Sequence, residues 1–140
     1  MIGLAVALAL ADKGFGHYGE NVFWNVSPVN AVGAVATNEG IWVSALPLSV
    51  TGDVLTTQVT VSTRFYDPIE QAKTLTRLMD WMMDEAPKLC SLSTAPVIDA
   101  SIEIIDCHAL TGSEFEAVDA EGRWVISVAM QVRHKRPALE

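Results

Sequence analysis

The residues best suited to chemistry in this chain are a cysteine and a histidine that stand side by side, Cys107 and His108, directly after Asp106. A thiol next to an imidazole base is the nucleophilic pair of many hydrolases. The segment alternates like a strand, however, and neighbouring residues of a strand point to opposite faces of a sheet. We therefore expect one side chain to be buried and the other exposed, with no catalytic dyad.

The spacing of the other polar residues indicates neither an enzyme nor a metal site. His17 and His134 are far apart in the chain, and each is interpreted as a lone surface histidine. Cys90 and Cys107 form no CxxC pair and are interpreted as free thiols. The sequence contains no GxSxG, no HExxH and no GxGxxG after a strand. We expect no catalytic activity, no metal and no cofactor.

Three methionines, Met79, Met82 and Met83, are open to two interpretations. They could line a cofactor slot, because a thioether side chain adapts to irregular ligands. Their helical spacing is more typical of a core, and we favour the core.

Alternating segments predict five strands. These are Val22–Val26, Ile41–Leu46, Leu55–Tyr66, Ile102–Leu110 and Arg123–His134. The third strand has a mostly apolar face and a polar face, so we expect the sheet to be covered on one side only. Pro47 is expected to end the second strand, and residues 29–40 to form a loop. The polar and acidic stretch Thr111–Gly122 is predicted to be the loop of a long hairpin.

Two helices are predicted. The alternation of large and small residues in Met1–Ala11 also fits a strand, but its alanine content favours a helix, with Gly14 as the C-terminal cap. The second helix has Asp67 as N-cap, Pro68 at its first position and Pro87 at its end, for a length of about 30 Å. The predicted core consists of Leu75, Leu78, Met79, Met82, Val59, Val61, Phe65, Ile126 and Val128.

These elements predict an α+β fold in a single domain, residues 1–140. The expected sheet is mostly antiparallel, with about four to five strands, two helices packed on one face and a long acidic hairpin loop. Half of the 140 residues are apolar, which suffices for one core. No apolar run approaches the ~18 residues that span a bilayer.

Charge is distributed unevenly along the chain, whose net charge is -8. Residues 80–121 carry a net charge of -9, whereas residues 122–140 carry +3. The bases of the second block are Arg123, Arg133, Lys135 and Arg136. Blocks of opposite sign favour head-to-tail association, so we predict that these bases contact a neighbouring copy. The alternative is an ordinary acidic surface.

The sequence also resembles a known family. Thr57–Tyr66 runs directly into Asp67–Ala72 and a long helix, and the acidic stretch Glu114–Trp124 leads through Gly122-Arg123-Trp124 into the last strand. Together with the apolar N-terminal helix, this order resembles the tail terminator and minor capsid proteins of long-tailed bacteriophages. The resemblance covers nearly the whole chain in element order and is specific over the strand–helix junction and the Gly-Arg-aromatic step.

This resemblance implies a virion structural protein. Such proteins form a ring, usually a hexamer, on the head-proximal end of a tail tube; they stop tail polymerisation and join the tail to the head connector. Catalysis and cofactors do not belong to the family. The implied partners are other copies of the chain, the tail tube protein and the head–tail connector protein, without a membrane. The resemblance also implies that the protein assembles in the host cytoplasm and ends up in the tail or neck of the virion.

A ring of this kind must let DNA pass without specific binding. Phosphates bind where Lys and Arg collect, so the channel wall should be acidic or neutral. We predict that the acids of the hairpin loop line this lumen or dock on the tube. They are Glu114, Glu116, Asp119 and Glu121. The alternative is a solvated hairpin tip that faces outward.

Two other functions stay open. The chain could be another neck or head-completion protein of the same particle. It could also be a small α/β enzyme or ligand-binding domain with a site on the open face of its sheet, which a concave pocket with converging polar groups would favour.

Overall fold

A computed structural model describes residues 1–24, 39–118, 123–136 and 138–139 of the chain. The fold is α+β, as predicted. The helices are α1 (Ile2–Leu10) and α2 (Pro68–Asp80). The strands are β1 (Val22–Trp24), β2 (Gly40–Thr51), β3 (Val54–Arg64), β4 (Ser91–Ser93), β5 (Ala100–Val118), β6 (Trp124–Lys135) and β7 (Ala138–Leu139).

The described strands pair in the order β1-β2-β3-β6-β5-β4, and β7 pairs with β5. Only β1 runs parallel to its neighbour, β2, and every other pairing is antiparallel. The mostly antiparallel sheet is therefore confirmed, but seven strands replace the four to five predicted. Sequence patterns miss β4 and β7 because strands of three and two residues carry no readable alternation; pairing with β5 creates them.

The strand β2 extends well past Pro47, where it was predicted to end. The Ile41 N–H donates to the Asn21 carbonyl on the β1 side, at 2.8 Å. Since backbone groups alternate along a strand, the Pro47 nitrogen points to that same side and away from β3. The missing N–H of proline therefore costs no hydrogen bond between β2 and β3. Gly52, with φ of 65°, makes the tight turn into β3.

The predicted hairpin loop Thr111–Gly122 is wrong for most of its length, because β5 continues to Val118. Phe115 pairs with Ile126, and Val118 pairs with Trp124. Pairing with the apolar start of β6 outweighs the low strand propensity of the acidic residues. Residues 119–122, like the end of the first predicted strand and most of the loop after it, lie outside the described residues.

The first predicted helix is confirmed as α1. It continues into a π-helical turn, Ala11–Phe15, which contains Gly14 at φ of 88°. Glycine adopts this left-handed conformation without strain, as expected of the residue that ends a helix.

The second predicted helix begins as expected and ends earlier. The Ile69 N–H donates to Asp67 Oδ1 at 2.9 Å, so Asp67 caps α2. Regular α-helix stops at Asp80 and is followed by a π-helical turn, Trp81–Glu85, and a 3-10 turn, Ala86–Lys88. The predicted single helix of about 30 Å is therefore wrong over its last two turns.

Both helices pack on the same face of the sheet, where they enclose one core. Most of the predicted core residues are buried, namely Leu75, Leu78, Met82, Val59, Val61 and Val128. Met79, Phe65 and Ile126 are half-buried. Met83, the third methionine of the helical pattern, is 61% exposed, whereas Trp81 and Met82 of the same π-helical turn are buried.

The opposite face of the sheet is partly covered, contrary to the prediction of a face open to solvent. Ser62 and Arg64 of β3 lie on this face and are buried, as is Trp42 of β2. The Arg64 guanidinium packs 4.7 Å from the centre of the Trp42 ring, and Phe23 stacks on the same ring at 5.3 Å. Aromatic rings thus shield the arginine from water at the β1 end.

Candidate functional site

Cys107 and His108 lie on β5 as the sequence predicts. The Cys107 side chain is buried, 3.8 Å from the Met130 sulfur, whereas His108 is exposed on the other face. Burial raises the pKa of the Cys107 thiol to about 11, so the thiolate needed for nucleophilic attack does not form near neutral pH. The pair is therefore not a Cys–His dyad.

His134 is buried, contrary to the surface position predicted for it. Its Nε2 lies 3.0 Å from the Thr57 hydroxyl, and its Nδ1 lies 2.9 Å from the Lys135 carbonyl oxygen. Burial lowers the pKa of this imidazole. His17 is exposed as predicted. Within the described part of the chain, no three His, Cys, Asp or Glu side chains gather in a way that could hold a metal.

The four bases predicted to form a subunit interface do not lie together. Arg123 immediately precedes β6, whereas Arg133, Lys135 and Arg136 lie at its other end. Ten residues of strand separate Arg123 from Arg133, or about 33 Å at a rise of about 3.3 Å per residue. Any interface that uses the basic residues therefore uses two separate surfaces.

Two of the bases form ion pairs within the chain. Arg133 Nε donates to Asp106 Oδ2 at 2.7 Å, and this hydrogen bond holds the pKa of Asp106 below its usual range. Lys135 Nζ lies 3.2 Å from a Glu103 oxygen and 4.0 Å from an Asp53 oxygen. Antiparallel pairing of β5 with β6 thus brings the acidic block and the basic block of the sequence together in one molecule. Arg136 is exposed.

Arg123 belongs to a groove of about 370 Å³ between the start of α2 and the start of β6. Its guanidinium lies 4.6 Å from the centre of the Tyr66 ring. Deeper in, the buried Gln71 amide donates to the Thr63 and Trp124 carbonyl oxygens at 3.1 and 3.0 Å. The groove thus combines aromatic walls with one cationic group.

Two of the four acids predicted to line the lumen lie in described segments of the chain. Glu114 and Glu116 are strand residues of β5, not residues of a projecting loop. Asp119 and Glu121 lie outside the described residues. A lumen or tube-docking role for these acids stays a prediction.

An apolar surface that the sequence reasoning missed runs along the outer half of β2. The described part of β1 ends at Trp24, which pairs with Val43, and no other described residue pairs with the outer edge of β2 from Ser44 to Thr51. Leu46, Leu48 and Val50 are 60%, 48% and 57% exposed. We call the segment 44–51 the β2 edge. The alternation of Leu46, Leu48 and Val50 with Pro47 and Ser49 was the signal for a longer strand, and Pro47 concealed it.

A second apolar surface lies beside β5, across the strand order from β2. A groove of about 410 Å³ is lined by Met79, Met82, Met83, Pro87, Ala109 and Leu110, with His108 beside them. No carboxylate, lysine or arginine is among these lining residues. We call it the methionine groove. Met82 is therefore a core residue, whereas Met83 is a surface residue. Neither the core nor the cofactor slot predicted from the sequence describes all three methionines.

In comparisons with known proteins, no family model matches the chain and no curated protein matches its sequence. The helices of the described segments are too short or too polar to cross a membrane.

Proposed function

We propose that the chain is a virion structural protein that forms a ring on the head-proximal end of a phage tail tube. In this role it stops tail polymerisation and joins the tail to the head connector. The observation that carries the proposal is the β2 edge, whose outer side pairs with no other described residue and whose three apolar side chains are exposed. A protein that works alone usually hides, shortens or charges such an edge, whereas an assembly subunit keeps it for a neighbour.

The chemistry of the described residues supports an assembly role over catalysis. The Cys107 thiol is buried and protonated, and the Arg133 and Lys135 side chains are committed to ion pairs. Such ion pairs stabilise a surface without creating a reactive group. A hexameric ring with a central channel for DNA, located in the tail or neck, is the assembly that the resemblance implies.

Electron microscopy tests this proposal directly. The purified protein, imaged in negative stain, should form rings with a central channel. Antibodies raised against the chain should then label the head–tail junction of particles from cells that express it. Labelling elsewhere on the virion, or rings absent from particles, would contradict the proposal; labelling within the neck but not on the tube end would favour another neck protein.

The groove around Arg123 favours one alternative, a small ligand-binding domain. Its cation and its Tyr66 ring suit a small aromatic or phosphorylated anion. Nuclear magnetic resonance titration with benzoate and with inorganic phosphate tests this. Saturable shifts that cluster at the Gln71 and Arg123 amides would support ligand binding, and unchanged spectra at millimolar concentration would contradict it.

A further inference from the structure

The outer edge of β4, the last strand in the sheet order, carries unpaired backbone groups. Cys90 accepts a hydrogen bond of 2.8 Å from β5, and the Thr94 N–H donates one of 3.0 Å to β5. Because backbone groups alternate in direction along a strand, the N–H and C=O groups of Ser91 and Ser93 point away from β5. No described residue pairs with these outward groups, and both serines are exposed.

A groove of about 500 Å³ lies along this edge. One wall is β4 with the loop that follows it, and the other is the end of α1 together with Tyr18. The described lining residues fall in two segments, 5–18 and 91–96, each of which is described without a gap. No residue next to an undescribed segment is among them. We call this surface the β4 groove.

The helix α1 contributes apolar side chains to the β4 groove. This helix is apolar all round, and seven of its residues are buried. Leu8 and Ala9 are half-buried, and both line the groove. A ligand that covers them removes further apolar surface from water.

The charge of the β4 groove selects a basic ligand. Asp12 is exposed and is the one Asp, Glu, Lys or Arg among the described lining residues. It makes no ion pair with a described residue. The chain as a whole has a net charge of -8, which adds to the negative field at this site. Two copies that met edge to edge would bring their Asp12 carboxylates together, so a second copy fits poorly.

From these observations we propose that the β4 groove binds an extended, basic segment of another protein, which adds a strand to the sheet. Outward N–H and C=O groups at strand spacing are matched by a second extended backbone. On the side that faces α1, an apolar side chain of the segment covers Leu8 and Ala9, and a Lys or Arg two positions away reaches Asp12. This contact goes beyond the proposed ring and does not require it.

The loop after β4 holds the edge in place before a partner binds. The Ala95 N–H donates to Ser93 Oγ at 3.1 Å, and the Thr94 hydroxyl donates to the Ile98 carbonyl at 2.7 Å. Binding therefore orders little of this chain. Three residues of edge give few backbone hydrogen bonds, so the groove must supply the rest of the affinity.

The test titrates the full chain with a synthetic peptide, acetyl-Lys-Thr-Val-Thr-Lys-amide, and follows the backbone amides by nuclear magnetic resonance. Its valine and both lysines share one face when the peptide is extended, so either strand direction presents the same pattern. One control peptide has Glu in place of both lysines. A second has every peptide nitrogen methylated, so that it cannot donate to β4.

Two variants and a matched control locate the site. Ser91→Pro removes an outward N–H and leaves the pairing of β4 with β5 intact, which continued protection of the Ile104 N–H from hydrogen exchange verifies. Asp12→Asn removes the charge and retains the shape of the side chain. Asp84→Asn is the control, because Asp84 is an exposed acid that does not line this groove.

We expect the Lys peptide to cause saturable shifts of the Ser91 and Ser93 amides at millimolar concentration, and neither control peptide to do so. Ser91→Pro should abolish the binding, Asp12→Asn should weaken it about two- to fivefold, as expected for an exposed ion pair, and Asp84→Asn should bind like the parent.

Three results would overturn the proposal. They are the absence of shifts with the Lys peptide, equal binding of the Lys and Glu peptides, and unchanged binding by Ser91→Pro. Shifts of the same amides when the parent alone is concentrated would assign the edge to a second copy and also overturn it. None of these measurements requires a ring, so their outcome is independent of the electron microscopy test of the proposed function.

Discussion

At the scale of single residues, buried polar groups fix how the helices meet the sheet. The Gln71 amide, on the buried side of α2, reaches carbonyl oxygens on both β3 and β6. His134 and Thr57 make a similar link between β6 and β3, farther along the same strands. Gln71 and the Thr57–His134 pair find these partners only in the observed register, so the contacts favour that register over its one-residue slips.

Loss of the Asp67 cap should weaken α2. Asp67→Ala removes the acceptor of the Ile69 N–H and should lower the free energy of unfolding by about 1 kcal/mol. Asp67→Asn keeps an acceptor oxygen and should retain most of the stability. Asp80→Ala is the control, because an acid at the last residue of a helix opposes the helix dipole and its loss costs nothing. Equal denaturation midpoints for Asp67→Ala and the parent would refute the cap.

His134 should make the protein less stable in mild acid. Burial lowers its pKa in the folded state, so the unfolded chain takes up a proton more readily once the pH falls below about 6.5. The free energy of unfolding should therefore decrease between about pH 7 and pH 5. Urea titrations of His134→Gln, which cannot titrate, should show a shallower decrease than those of the parent. Identical slopes for parent and His134→Gln would contradict this.

At the scale of elements, pairing decides where strands end. The acidic half of β5 is a strand because β6 lies beside it, and β2 passes Pro47 because the proline nitrogen points away from β3. Contacts with the core also coincide with the end of a helix. The regular helix α2 is followed by a π-helical turn at Trp81 and Met82, whose side chains are buried in the core. Because a π-helical turn is wider than an α-helical turn, the side chains that follow it point in a different direction around the helix axis.

The contribution of α2 to the core is testable at one position. Leu78 is fully buried, and Leu78→Ala should cost about 2–5 kcal/mol, since it removes apolar contacts and leaves a cavity. Met83→Ala is the comparison, because that side chain is exposed, and its cost should stay within about 0.5 kcal/mol. A loss below about 1 kcal/mol for Leu78→Ala would show that α2 packs differently.

At the scale of the whole molecule, charge and apolar surface are segregated. Antiparallel pairing places the basic end of β6 beside β5, where Arg133 pairs with Asp106 and Lys135 with Glu103, so two of the four predicted interface bases are neutralised within the chain. The apolar β2 edge and methionine groove are left on opposite sides of the sheet.

A charge swap distinguishes an intermolecular role of Arg133 from its intramolecular pair. Arg133→Asp alone places two acids opposite each other and should impair assembly. The double change Asp106→Arg with Arg133→Asp restores a pair of reversed polarity within the chain. If Arg133 contacts a neighbouring copy, as the sequence predicts, the double variant still fails to assemble in sedimentation. Restored assembly would assign Arg133 to the internal pair, which as an exposed pair contributes little to stability.

The sequence by itself determined the features whose signals are local. Alanine content and the Gly14 cap located α1, and the Asp67 cap located the start of α2. Alternation located the central parts of β2, β3, β5 and β6, and the alternation around Cys107 excluded a dyad with His108. These follow from φ/ψ preferences and side-chain direction within a few residues, so no distant partner was needed to predict them.

Only the tertiary structure decided the features that depend on distant partners. The burial of His134, the strand Thr111–Val118, the ion pairs of Arg133 and Lys135 and the common level of Leu46 and His108 all arise from pairings between segments far apart in the chain. A one-dimensional pattern records the character of each segment but not which segment lies beside it. Both apolar surfaces therefore became visible only when the sheet order left their edges without a neighbour among the described strands.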